Sequence, residues 1–158
     1  MENKIKLLVM DVDGTLTDGK IYIGPDGEAM KAFDVKDGYG IACILPGLGI
    51  IPVIITGRES KIVANRAKEL GITELYQGIG NKLIQLKKVA EKYNVTPKEI
   101  AYIGDDINDL DCVKYCGFTA CPADSIAEVR SSVVYVCKSA GGRGSVREFI
   151  EQFMKLGE

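Results

Sequence analysis

Lys6-Leu7-Leu8-Val9-Met10-Asp11-Val12-Asp13-Gly14-Thr15-Leu16-Thr17-Asp18 begins apolar and turns acidic at Asp11. A continuously apolar run with no polar alternation fits a strand covered on both faces. Asp11 and Asp13 then stand two apart just where the strand ends. Once the backbone leaves the pleat, both carboxylates can turn into one site, and Gly14 permits the turn. Close carboxylates repel, so the pair suggests a hard cation such as Mg²⁺ held through oxygen ligands. The plainer alternative is a turn carrying two solvated acids.

Two further stretches repeat the layout. Ile54-Ile55-Thr56-Gly57-Arg58 places a hydroxyl, backbone amides and a guanidinium at the junction of an apolar strand and a helix, as an anion site requires. Ile103-Gly104-Asp105-Asp106-Ile107-Asn108-Asp109 places acids at another such junction, where they could also simply complement a helix dipole. In an open parallel sheet the carboxyl ends of the strands form the ligand crevice, so Asp11, Asp13, Thr56 and Asp105 are expected to converge. Lys82 follows Gly80-Asn81 at the start of a helix patterned by Leu83, Leu86, Ala90 and Tyr93, and is a candidate for the same crevice.

The rest of the chain alternates between short β-like and longer helical runs, which predicts an α/β fold with a mainly parallel sheet. Strands are expected at Lys6–Met10, Pro52–Thr56, Ile100–Gly104, Phe118–Cys121 and Val133–Cys137, with a weaker one near Leu75. Helices are expected at Gly38–Leu45, Glu59–Leu70, Asn81–Tyr93, Asp106–Tyr115, Ser125–Ser131 and Ser145–Leu156. In the last, Val146, Phe149, Ile150 and Phe153 form a stripe suited to docking on the sheet. Thr96-Pro97-Lys98-Glu99 has capping-box character, and Gly71 suits a helix C-terminus. Asp106 and Asp111 read as capping or surface acids.

At 158 residues with 46% apolar content, the chain is expected to form a single domain over 1–158. Twenty basic against 22 acidic residues give a net charge of −2, which argues against nucleic-acid or anionic-membrane partners. The apolar start, Ile5 to Met10, is too short for a signal peptide or a membrane span, so a cytoplasmic protein is expected. Five cysteines without a CxxC pair, and no histidine anywhere, argue against disulfides and zinc. The lack of histidine leaves acid–base work at neutral pH to carboxylates and lysines.

One segment interrupts the pattern. Ile21-Tyr22-Ile23 and Met30 to Val35 flank Gly24-Pro25-Asp26-Gly27, predicting a β-hairpin over 20–35. An isolated hairpin carrying Ile21, Ile23, Phe33 and Val35 is marginal in water, so either it is an edge flap or it pairs with another subunit. Toward the other end, Gly141, Gly142 and Gly144 surround Arg143. They suggest a mobile segment over 138–158 that closes on the site, with a simple linker as the alternative.

In order and spacing, Asp11 to Thr15, Thr56, Lys82 and Gly104 to Asp109 resemble the four motifs of the haloacid dehalogenase superfamily of phosphohydrolases. The resemblance spans the whole chain. It implies a Rossmann-like, three-layer sandwich and phosphoryl transfer through an aspartyl phosphate. Asp11 would be the nucleophile, and Asp13 the acid that protonates the leaving alcohol and then activates water. Thr56 and Lys82 would hold the phosphoryl oxygens. Mg²⁺ would be bound by Asp11, the Asp13 backbone carbonyl and Asp105, and Asp109 would orient Lys82 or the metal's waters.

Only the hairpin interrupts the first half of the chain, so no cap domain is expected. A closer resemblance is to the family of 3-deoxy-D-manno-octulosonate 8-phosphate phosphatases and relatives acting on nine-carbon sialic-type acid 9-phosphates. It is carried by Asp11 to Gly19, Lys31 to Gly40, Thr56 to Arg58, Tyr76 to Lys82 and Gly141 to Glu148. That family implies a homotetramer in which hairpins assemble and each crevice is capped by a neighbour. It also implies a small sugar-acid phosphate as substrate, in lipopolysaccharide biosynthesis. The substrate-binding candidates are Asp13, Asp34, Val35, Lys36, Asp37, Gly38, Gly57, Arg58, Arg66 and Lys82, with Arg143 on the closing segment. Arginine suits bidentate carboxylate recognition. Ala42 stands where many relatives carry a basic residue, and Pro46 is expected to shorten a usually longer helix. Arg58 favours the eight-carbon acid, while Ala42 weakens that preference. The nine-carbon substrate, and a non-catalytic tetramerisation module, remain as alternatives.

Overall fold

A computed structural model describes residues 4–156. Its centre is a parallel sheet of six strands in the order β5-β4-β1-β6-β7-β8. These strands are β1 Leu7–Met10, β4 Ile51–Ile55, β5 Glu74–Tyr76, β6 Ile100–Ile103, β7 Phe118–Cys121 and β8 Tyr135–Val136. From β1 the chain builds outward through β4 and β5 on one side, then returns to β6, β7 and β8 on the other. The order therefore reverses at β1, and the crevice of such a sheet opens there, at the carboxyl ends of β1, β4 and β6.

Alternation along the strands splits the core in two. Leu8, Met10, Ile54 and Ile103 face one layer, built mainly from α3 (Lys61–Glu69), α7 (Ser145–Leu156) and the helical stretch before β4. Leu7, Val9, Val53, Ile55 and Tyr102 face the other, covered by α4 (Lys82–Tyr93) and α5 (Leu110–Tyr115). The expected stripe of α7 is buried on the first layer, where Phe149 stacks on Phe118 with ring centroids 5.2 Å apart. The result is the expected α/β sandwich, with the hairpin as a separate two-stranded sheet. No helix among the described residues is long and apolar enough to cross a membrane.

The hairpin differs from the sequence expectation in its second half. Its strands are β2 (Tyr22–Gly24) and β3 (Gly27–Met30), with Pro25 and Asp26 at the tip, and 31–34 is irregular. The reason is Asp34. Its Oδ1 accepts the backbone N–H groups of Lys36 at 2.8 Å and Asp37 at 3.1 Å, so helix α1 (Val35–Tyr39) starts three residues earlier than expected. Phe33 leaves the strand direction and lies under the Arg66 guanidinium.

Pro46 does not end the helical path. A π-helical turn, Gly40–Ile44, is followed directly by α2 (Leu45–Leu48), and Leu45 N–H reaches back to Gly40 O. The wider turn accommodates the proline, which lacks an N–H to satisfy and would crowd an α-helical carbonyl. Gly49, at φ +70°, closes the run. The strand expected over Val133–Cys137 is only β8, and the helix expected over Ser125–Ser131 is only α6 (Ala127–Arg130).

Candidate active site

Asp11 leaves the end of β1 buried, and Lys82, the first residue of α4, reaches it from across the sheet. Lys82 Nζ lies 2.8 Å from Asp11 Oδ1 and 2.9 Å from Asp109 Oδ1. Asn81 caps α4, its side chain accepting Ile84 N–H, which fixes where Lys82 begins. Burial works against the Lys82 ammonium, but the charges of Asp11 and Asp109 outweigh it and push its pKa up to about 12. The two acids thus favour the charged form of the lysine in this site.

Asp109 is fully buried and saturated. Its Oδ1 also accepts the Tyr102 hydroxyl at 2.5 Å, and its Oδ2 accepts the backbone N–H groups of Asp105 at 2.9 Å and Asp106 at 3.2 Å. Tyr102 gave no functional signal in the sequence beyond being the one side chain with a polar atom in β6. Asp106 caps the turn that follows, accepting Ile107 N–H, and Asp111 is exposed.

Asp105 comes within hydrogen-bond reach of both Asp11 and the Thr15 hydroxyl, the latter at 3.2 Å. One carboxylate oxygen each of Asp11, Asp105 and Asp109 lie within 4.8 Å of one another. Burial, and then the charge of a neighbouring carboxylate, raise the pKa values of both Asp11 and Asp105. Three crowded carboxylates face one buried ammonium, and oxygen donors with uncompensated charge fit a hard divalent cation. Asp109 is spent on its own partners, so Asp11 and Asp105 are the side chains free to ligate.

Asp13 lies at the mouth, its Oδ1 2.5 Å from Lys31 Nζ. Thr56 is buried at the end of β4, its backbone N–H bonded to Tyr76 O at 3.0 Å. Gly57 and Arg58 follow, exposed, with Arg58 Nη2 3.8 Å from Glu28 Oε2 on the hairpin. Asp11, Asp13, Thr56, Lys82, Asp105 and Asp109 thus occupy the carboxyl ends of β1, β4 and β6 or reach into them.

The other substrate candidates form a neighbouring group. Asp34, Asp37, Gly38 and Arg66 line a small cavity with Val12 and Phe33. Gly38 gives Arg66 its place, since a Cβ there would lie 2.4 Å from Arg66 Nη2. Val35 and Lys36 are exposed. The Asp37 carboxylate also serves the fold: its Oδ1 accepts Arg147 N–H at 2.8 Å, near the start of α7. Burial, the largest influence, holds its pKa up at about 6.

The glycine-rich segment rests on the back of the Asp11 loop. Gly142 N–H bonds Thr15 O at 3.1 Å, and a Cβ on Gly141 would lie 2.0 Å from Gly14 O. These glycines provide close approach of two backbones. Glu148 secures the segment by accepting Lys138 N–H at 2.8 Å and Ser139 N–H at 2.9 Å, contacts that no motif in the sequence signals. Arg143 is exposed.

Comparison with known proteins agrees with this geometry. The model of a haloacid dehalogenase-like hydrolase family matches residues 68–150. The chain belongs to the haloacid dehalogenase-like hydrolases. It is 48% identical over 144 residues to the 3-deoxy-D-manno-octulosonate 8-phosphate phosphatase KdsC of Escherichia coli K12, covering 91% of this chain and 76% of that one. The crystal structure of the corresponding phosphatase from Moraxella catarrhalis, in complex with magnesium, phosphate and KDO, superposes with a TM-score of 0.93 at 42% identity. That match covers 98% of this chain and 88% of the other. The cobalt-bound deoxy-D-mannose-octulosonate 8-phosphate phosphatase YrbI from Haemophilus influenzae gives a TM-score of 0.93 at 36% identity, covering 98% of this chain and 89% of the other.

Proposed function

We propose that the protein is a Mg²⁺-dependent phosphomonoesterase that dephosphorylates 3-deoxy-D-manno-octulosonate 8-phosphate through an aspartyl phosphate. The observation that carries this reading is the buried Asp11–Lys82–Asp109 arrangement beside Asp105, at the carboxyl ends of the central strands. Asp11 presents an oxygen to phosphorus, and Asp13, at the open side, can protonate the departing alcohol. Asp13 then takes a proton from the water that attacks the aspartyl phosphate. Lys82 and the Thr56 hydroxyl face the phosphoryl oxygens. Asp11, the Asp13 carbonyl and Asp105 would hold Mg²⁺, which supplies charge neutralisation on the transferring group.

Arg58 and Arg66 are the cations for the sugar acid, with the Asp34–Gly38 stretch lining its path and Arg143 reaching an anion from the outer side. Arg58 at the mouth favours the eight-carbon acid. A product of this kind belongs to lipopolysaccharide biosynthesis, and five free thiols suit the reducing cytoplasm. We further propose a homotetramer assembled through the hairpin. Ile23 and Met30 are 67% and 57% exposed, and β2 and β3 pair only with each other.

The test is phosphate release with Mg²⁺ from the eight-carbon and nine-carbon ulosonate phosphates side by side, with Asp11→Asn as the blank. Preference for the eight-carbon acid by tenfold or more in kcat/KM is expected. Equal rates, or preference for the nine-carbon acid, would overturn the substrate assignment.

A further inference from the structure

Lys31 lies just beyond β3, on the exposed hairpin, yet its side chain is only 1% exposed. Its ammonium sits between two carboxylates, 2.5 Å from Asp13 Oδ1 and 3.2 Å from Glu28 Oε2. Glu28 is itself held from the far side: it accepts the hydroxyl of Ser60, the N-cap of α3, and faces Arg58. Taking an ammonium out of water is costly unless it is paired, so this lysine is kept in place by its two acids. Asp13, Lys31, Glu28 and Arg58 form one line of alternating charge joining the β1 loop, the hairpin and the β4 loop.

Asp13 needs such a support. Among the described residues, Lys31 is the only hydrogen-bond partner of its carboxylate. We propose that Lys31 is a positioning residue for Asp13, holding Oδ1 so that Oδ2 faces the reacting oxygen. The inference rests on the phosphomonoesterase reading above. As Asp11 bonds to phosphorus and the ester P–O bond breaks, the proton on Oδ2 passes to the departing alkoxide. In the second half, water loses a proton to Oδ2 as its oxygen bonds to phosphorus and the Asp11–phosphorus bond breaks.

The role can be separated from a structural one by the leaving group. An alkoxide must be protonated as it leaves, whereas p-nitrophenolate departs without a proton, and kcat/KM reports the enzyme up to that departure. Wild type, Asp13→Asn, Lys31→Met and Lys31→Arg are compared with Mg²⁺ on the eight-carbon ulosonate phosphate and on p-nitrophenyl phosphate. For Lys31→Met we expect kcat/KM to fall roughly 10–100-fold on the sugar phosphate and less than about threefold on the aryl phosphate. Asp13→Asn should show the same asymmetry more strongly, and Lys31→Arg should recover most of the loss. If Lys31→Met does not fold, Glu28→Gln, which loosens Lys31 from its other side, should give the asymmetry in weaker form.

Equal losses on both substrates, a change in KM alone, or wild-type behaviour of Lys31→Met beside a crippled Asp13→Asn would each overturn the positioning role. Wild-type activity in Asp13→Asn, or no phosphate release by the wild type, would instead overturn the reading on which it rests.

Discussion

Gly14 and Asp105 stand at different strand ends, yet a Cβ on Gly14 would lie 1.9 Å from Asp105 Oδ2. The carboxylate occupies the space that any side chain at 14 would need, and φ of +91° there adds a second demand for glycine. Gly14→Ala should therefore displace Asp105, the acid proposed to ligate Mg²⁺, and strain the loop. We expect the Mg²⁺ concentration for half-maximal activity to rise roughly tenfold or more. A melting temperature lower by about 2–8 °C should accompany it. A Mg²⁺ titration with an unchanged midpoint would contradict the placement of Asp105.

The Tyr102 hydroxyl meets Asp109 in a fully buried setting, so Tyr102→Phe removes one of the donors that hold Asp109 against Lys82. The variant should lose about 1–3 kcal/mol of stability. Its kcat should fall several-fold with little change in KM, because Lys82 is oriented less well. Denaturant melts and steady-state kinetics check both, and a variant matching wild type in each would remove Tyr102 from the account.

Asp37 links the substrate segment to α7 and should leave a signature in stability against pH. Its folded pKa, about 6, lies above its ordinary 3.8. The folded state therefore binds the proton more tightly. Its contribution to stability is full below about pH 3.8 and is lost as pH rises through about 6, a swing of at most about 3 kcal/mol. Asp37→Asn keeps an acceptor for Arg147 N–H without the charge. It should be more stable than wild type at pH 7.5, with the advantage shrinking towards pH 4. Unfolding midpoints of both proteins at pH 4, 6 and 7.5 decide this, and a gap that does not vary with pH would count against it.

Ile23 is the most exposed large apolar side chain of the hairpin strands, at 67%. If the proposed tetramer forms, Ile23→Glu should convert it into smaller species by light scattering while leaving the fold intact by circular dichroism. Wild type that is monomeric at micromolar concentration would refute the assembly.

The sequence exposed much of this design because the site is built where strands stop. Asp11, Thr56 and Asp105 each follow an apolar run, so punctuation alone placed them together. Lys82 was legible only from its position at a helix start. What stayed hidden depends on contacts distant in the chain. The Asp37 carboxylate serves a helix 110 residues away, and Lys31 reaches back 18 residues to Asp13 from a hairpin whose sequence carries no signal for it. Tyr102 was masked by its apolar strand. The second half of the hairpin departs from the apolar alternation through Phe33 and Val35 because the Asp34 cap, a local hydrogen-bond preference, outcompetes it.

The central claim, that Asp11 carries the phosphoryl group, is tested most directly by trapping. Enzyme turning over the eight-carbon substrate with Mg²⁺ is quenched and treated with borohydride, which reduces an acyl phosphate to an alcohol, and the peptide spanning 11 is read by mass spectrometry. Homoserine at position 11, absent without substrate, is the predicted result. Unmodified Asp11 during sustained turnover, or reduction at another acid, would contradict it.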